Sequence, residues 1–137
     1  MALITWDDTL SVNIKKIDEQ HKKLIGLLNS LYDAMLTGKS KETLGTVLNE
    51  LVNYTVYHFT TEEEYMLKYD FPADKYEFHV KEHNEFKAKA ADLVSRFETS
   101  SAILSLEVFN YLRDWVKNHV MDTDKQYQDF LNQQGVF

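Results

Sequence analysis

The chain contains no cysteine, a single proline and only four glycines among its 137 residues. Without thiols, disulfides, thiolate zinc sites and cysteinyl iron–sulfur clusters are excluded, so any metal must be held by imidazole and carboxylate. So little turn chemistry disfavours a fold of many short strands and makes all-α the expected class. No run of 18 apolar residues occurs, and the opening MALITWDDTL has no basic stretch followed by an apolar one. A soluble, unprocessed cytoplasmic protein with no membrane partner is expected. Positive charge is also scarce: 15 Lys and Arg against 22 Asp and Glu leave a net charge of −7 and a pI near 5.2. That balance repels the phosphates of nucleic acid and of anionic lipid, which argues against a non-specific hold on either. A small or neutral partner fits better.

What is present is apolar residues at helical spacing. At 44% hydrophobic content, residues 1–137 suit one domain, and helices of about 20 residues, roughly 30 Å long, enclose a real core. Trp6, Ile14 and Ile17 point to an N-terminal arm lying on the body of the fold. Asp18 then stands where a helix cap belongs, ahead of a stripe of His21, Leu24, Leu28, Leu31 and Met35 that stops at Thr37-Gly38. Ser40 caps a second helix with the stripe Leu44, Leu48, Leu51, Thr55, His58, Glu62 and Met66, ending before Asp70-Phe71-Pro72. The third stripe is Tyr76, His79, His83, Phe86, Ala90, Leu93 and Phe97, closed by the polar Thr99-Ser100-Ser101. Leu104, Val108, Leu112, Trp115 and His119 mark the fourth, followed by a short polar tail for which a helix is left open. Connections this short favour antiparallel neighbours, hence an up-down-up-down four-helix bundle over about residues 18–121.

All five histidines fall on these stripes, and every stripe holds at least one. One histidine on an apolar face is usually a hydrogen-bonded core residue. Five, together with Glu62, are harder to bury, because each polar group left without a partner costs about 1–3 kcal/mol of the roughly 5–15 kcal/mol that keeps a domain folded. A metal removes that difficulty. His58 and Glu62 are separated by four residues on one helix, His79 and His83 by four on the next, so each pair points the same way one turn apart. His21 and His119 add one donor from each remaining helix, in the place where bundles build metal centres. Five imidazoles exceed the needs of one tetrahedral zinc, and with two bridging carboxylates seven residues serve two metals at five or six coordination. The residues alone leave Fe, Mn, Zn and Cu open.

The ordered set Asp18-Glu19-Gln20-His21, His58-Phe59-Thr60-Thr61-Glu62-Glu63, His79-Val80-Lys81-Glu82-His83 and Trp115-Val116-Lys117-Asn118-His119, followed by Asp124, resembles the hemerythrin family, and within it the bacterial hemerythrins. The resemblance runs from Asp18 to Tyr127. It implies two non-haem irons, one held by His79, His83 and His119 and the other by His21 and His58, bridged by Glu62, Asp124 and an oxo or hydroxo group. The second iron then keeps an open position at which dioxygen binds as both irons pass from ferrous to ferric, with no protein residue acting as acid or base. The implied function is that of an oxygen carrier or store rather than an enzyme. The alternative is a sensing module for oxygen or redox state using the same site; the lack of an attached signalling segment in this sequence makes the carrier the expected reading. Leu24, Phe59, Val116 and Val120 are candidates for the wall of the oxygen pocket, although core packing alone also accounts for them. Asp18, one turn before His21, is placed to orient that ring as well as to cap the helix.

Helix geometry and the resemblance disagree at one point. At 100° per residue Asp122 lies about 60° from His119 around an ideal helix and Asp124 about 140° away, so periodicity alone selects Asp122. The family spacing selects Asp124, which requires the helix to loosen or turn just after His119. Two other readings are weaker. His79-Val80-Lys81-Glu82-His83 also matches the H-x-x-E-H zinc-peptidase motif, but leaves three stripe histidines unexplained. Ferritin-like di-iron oxidases need Glu three residues before His on two helices, and here those places hold Asp18, Thr55, Tyr76, Val80 and Val116.

Overall fold

The computed structural model describes residues 4–99 and 106–137, apart from the side chains at 99 and 106–108. Its helices are α1 (Lys15–Leu36), α2 (Lys41–Lys68), α3 (Ala73–Thr99), α4 (Leu106–Asn118) and α5 (Lys125–Gln133), with a π turn over His119–Thr123 joining α4 to α5. The expectations placed on Ser100-Ser101, on Leu104 and on the side chain of Val108 fall outside the described residues.

The helix ends follow from local chemistry. Ser40 caps α2 as expected, its side chain accepting from the Thr43 N–H at 3.2 Å. α1 and α2 stop the same way: Lys39 N–H reaches Ala34 C=O at 3.1 Å and Phe71 N–H reaches Met66 C=O at 2.9 Å, around a left-handed residue, Gly38 at φ 65° and Asp70 at φ 54°. The start of α1 corrects the sequence reading. The helix begins at Lys15, with Ile14 at the cap position and no side-chain cap. Asp18 lies inside it, accepting from the Ser11 hydroxyl at 2.5 Å and the Val12 N–H at 2.8 Å, so it ties the arm to the helix and is not the cap. The arm is held further along by Ile4, which exchanges two hydrogen bonds with the side chain of Asn29.

Contacts between helices run in opposite order along each adjacent pair. His21 meets His58 while Lys23 covers Tyr54; Glu63 meets His83 while Asn49 meets Glu98; His83 meets His119, Phe86 meets Trp115 and Lys89 covers Tyr111; His21 meets Asp124 while Tyr32 meets Phe109. Every neighbour is antiparallel and the fourth helix closes on the first, so the architecture is the expected up-down-up-down bundle.

Among the described residues, buried apolar side chains form two clusters. The larger runs along the bundle through Leu24, Leu28, Leu31, Leu48, Leu51, Phe59, Phe86, Phe109 and Leu112. The smaller closes one end with Val12, Ile14, Ile17, Met66, Phe71, Tyr127, Leu131 and Val136. The expected polar tail is thus a helix: Tyr127 and Leu131 are fully buried, because α5 turns an apolar face onto the bundle end. A large apolar side chain contributes roughly 1.5–3 kcal/mol when fully buried, so these clusters can carry the polar layer between them.

Candidate metal centre

Glu62, His79, His83, His119 and Asp124 bring ligand-type atoms within 4.8 Å of one another, and so do His21, His58, Glu62 and Asp124. The two groups share both carboxylates. All seven side chains are buried, at 0–3% exposure.

α2 and α3 deliver their members by regular helix geometry. His58 Nε2 lies 2.9 Å from Glu62 Oε1 one turn along α2, and the rings of His79 and His83 lie 4.6 Å apart on α3. The fourth wall works differently. After His119 the backbone widens into the π turn, in which the Asp124 N–H bonds to His119 C=O at 2.9 Å, five residues back. One extra residue per turn returns Asp124 to the face that carries His119. Its Oδ1 is 2.9 Å from His119 Nε2 and 2.9 Å from His79 Nε2, and its Oδ2 is 3.0 Å from His21 Nε2. Asp122, which straight-helix geometry selects, is exposed.

These short distances are not ordinary hydrogen bonds. Glu62 Oε1, His79 Nε2 and both oxygens of Asp124 have no hydrogen-bonding partner, although each lies close to other polar atoms. Buried donors and acceptors in native proteins are nearly always paired. Groups at this separation whose directions fail to align on each other are aimed at common points between them. Two ligand atoms about 2.0–2.1 Å from one ion and at right angles lie about 3 Å apart, which is the spacing seen here, including 2.9 Å between His21 and His58 Nε2 and 3.0 Å between His83 and His119 Nε2. The donor set therefore fits two ions of the kind bound by imidazole and carboxylate.

When protons supply the positive charge instead, burial opposes ionisation throughout. Burial disfavours a charged His119, but Asp124, Glu82 and Glu62 outweigh it and lift its pKa to about 10. Burial raises the carboxyls of Asp124 and Glu62, and the surrounding histidines more than reverse this, holding both below the usual range. At His58 burial prevails and the pKa falls.

Around the donors lies a ring of partners that spacing along the chain does not reveal. His58 Nδ1 bonds Gln20 at 2.7 Å, His83 Nδ1 bonds Glu63 at 2.7 Å, and His119 Nδ1 bonds Glu82 at 3.2 Å, while Thr123 donates to Glu82 at 2.9 Å. Each contact leaves Nε2 facing inward. Tyr127 donates to Glu62 Oε2 at 2.6 Å, its ring stacked over His79. Asp18 does not reach His21, whose Nδ1 has no partner. The only signal for Gln20, Glu63 and Glu82 was adjacency to a proposed ligand, and all three serve a histidine on another helix.

Leu24, Phe59, Val116 and Val120 are all buried members of the larger cluster. Phe59 lies flat on His83, with ring centroids 3.9 Å apart and planes 7° apart, while its ring is 6.2 Å from that of His58. It therefore packs most closely on the three-histidine side. Trp115 stacks on His119 at 4.6 Å.

Comparison with known proteins agrees with this geometry. Residues 12–131 match the model of the hemerythrin HHE cation binding domain. A protein of Methylococcus capsulatus named bacteriohemerythrin is 35% identical over 133 residues, 96% of this chain and 99% of its own length. A bacteriohemerythrin of Stenotrophomonas maltophilia is 36% identical over 129 residues, 94% of this chain and 82% of its own. A crystal structure of wild-type hemerythrin superposes with a TM-score of 0.88 at 32% identity, covering 95% of this chain and 98% of the other.

Proposed function

The chain belongs to the hemerythrin family, whose members bind oxygen at a non-haem di-iron site, and from that premise we propose that it is a reversible oxygen carrier or store. His79, His83 and His119 would hold one iron and His21 and His58 the other, with Glu62 and Asp124 shared between the two. The irons supply the electrons that dioxygen takes on binding and returns on release. What the chain contributes is geometry and dryness. Three of the five imidazoles are locked with Nε2 inward by Gln20, Glu63 and Glu82. Tyr127 fixes one oxygen of Glu62. Leu24, Val116 and Val120, with Phe59, keep water and small anions from the site, so that oxygen leaves as oxygen and the metals are not left ferric. No side chain is required as a catalyst.

The observation that carries this reading is the convergence of seven buried donors, among which Glu62 Oε1, His79 Nε2 and both oxygens of Asp124 have no hydrogen-bonding partner. Metal analysis with visible spectra under air and under argon tests it. The expected result is two irons per chain and a colourless reduced protein that colours with oxygen and bleaches when oxygen is removed. One zinc per chain, or colour that persists after oxygen has gone, overturns it. The Methylococcus relative, matched over 99% of its own length, supports a carrier over a sensor, since the bundle accounts for nearly all of that protein. Hydrogen exchange should then be the same with and without oxygen away from the site; a helix that opens on oxygenation would favour sensing.

A further inference from the structure

The outer partners of the histidines differ in charge from one side of the centre to the other. On the three-histidine side, His83 and His119 donate to the carboxylates of Glu63 and Glu82, and His79 Nδ1 has no partner. On the two-histidine side, His58 donates to the amide of Gln20, and His21 Nδ1 has no partner. The direction of the Gln20 contact is set two links away. The Thr61 hydroxyl donates to the Tyr57 carbonyl at 3.3 Å, so its oxygen accepts from Gln20 Nε2 at 3.2 Å. The amide nitrogen must then face Thr61 and the amide oxygen must face His58. A carbonyl oxygen only accepts, so His58 carries its proton on Nδ1 and presents the Nε2 lone pair to the site. Gln20 and Thr61 are buried, at 5% and 7% exposure, so water does not loosen this chain.

A carboxylate acceptor draws the Nδ1 proton away and makes the imidazole a stronger electron donor to its metal; an amide orients the ring without adding charge. Resting on the di-iron reading above, we propose that Gln20 is a positioning residue that fixes the ring of His58 while withholding negative charge from it, which keeps the His21/His58 side of the centre easier to reduce than the His79/His83/His119 side.

Two measurements test this. In the metal-free protein, nitrogen NMR of the imidazoles should find the His58 proton on Nδ1, and Gln20→Leu should release it to a mixture of tautomers. A parent His58 protonated on Nε2 overturns the proposal. In the iron-loaded protein, poised at one fixed potential and read at pH 7 and pH 9, Gln20→Glu should raise the ferric-to-ferrous ratio at least tenfold while Gln20→Leu moves it less than twofold. Glu63→Gln makes the opposite exchange on the other side, tolerates it because Glu63 is partly exposed, and should shift the ratio toward ferrous. Equal shifts for Gln20→Glu and Gln20→Leu would mean packing rather than charge, and no shift in any of the three would mean that the acceptors do not tune the metals; either result overturns the proposal. A parent that takes up no iron sinks the di-iron reading instead and leaves the NMR result standing.

Discussion

α2 and α3 each offer two of the gathered side chains from an unbroken α-helix, whereas the fourth wall offers His119 and Asp124 only across a π turn. A pair four residues apart on a regular helix needs nothing beyond the helix itself. It delivers two side chains reaching the same way from one wall. Asp124 has a different task, since its short carboxylate must stand at the centre and face histidines from α1, α3 and its own helix. The widened turn achieves this by giving up regular backbone pairing where the chain also changes from α4 to α5. Regular helices therefore supply chelating pairs directly, and the irregular segment supplies one of the two carboxylates, Asp124 beside Glu62, that join the halves of the site.

Removing that group is the strongest way to break the comparison. Asp124→Ala should cost most of the iron or its oxygen reactivity, measured as iron per chain and as the oxygenated spectrum. Loss of His58 or His83 to Ala should lower iron content and also the melting temperature of the iron-loaded protein, because metal binding free energy adds to folding free energy. Melting temperatures equal to the parent's would show that the regular helices do not depend on their metals.

The fourth wall also predicts a pH effect. His119 is raised from 6.5 to about 10 in the folded chain, so without metal its charge stabilises the fold fully below pH 6.5 and that contribution is lost as pH rises through 10. A metal must displace the same proton. Cobalt titrations should therefore show tighter binding at pH 9 than at pH 7 while the metal-free protein becomes less stable, and Asp124→Ala should flatten both trends. Tyr127→Phe keeps the ring on His79 but leaves Glu62 without its hydroxyl donor; chemical unfolding should show a loss of roughly 1–3 kcal/mol. Val116→Ala leaves every donor in place and should speed autoxidation of the oxygenated form with iron content unchanged, and an unchanged rate would assign Val116 to packing alone. Asp122→Ala, on the exposed side of the same turn, should be the mildest, within about 0.5 kcal/mol in urea unfolding.

Where the chain is periodic, the sequence was legible. Every member of the α2 stripe from Leu44 to Met66 is buried, because three- and four-residue steps and a Ser cap map directly onto a straight helix. The seven residues singled out as donors gather in one place for the same reason, with one exception. Asp124 could be reached only through family spacing, since periodicity assumes an undisturbed helix and selects Asp122. Asp18 failed as a cap because a carboxylate one turn inside a helix resembles one at its start; what distinguishes them is the arm folding back to donate to it. α5 was legible only as a tail for which a helix was left open, because its two deeply buried residues, Tyr127 and Leu131, stand among polar neighbours in a short segment. Gln20, Glu63 and Glu82 all act across helices, and lateral contacts leave little trace in spacing along one chain.

The clasp at the closed end has a consequence for biosynthesis. Asn13 and Asn132 exchange two hydrogen bonds, and Val12 and Ile14 pack in one cluster with Tyr127, Leu131 and Val136. The seal beneath the centre thus joins segments nearly 120 residues apart, and one of the seven gathered groups comes from position 124. A nascent chain on the ribosome holds only an open cup until those later residues emerge. Completion of the centre therefore waits on Asp124 and α5, and in pulse-labelled cells iron should enter this protein only after α5 has left the ribosome.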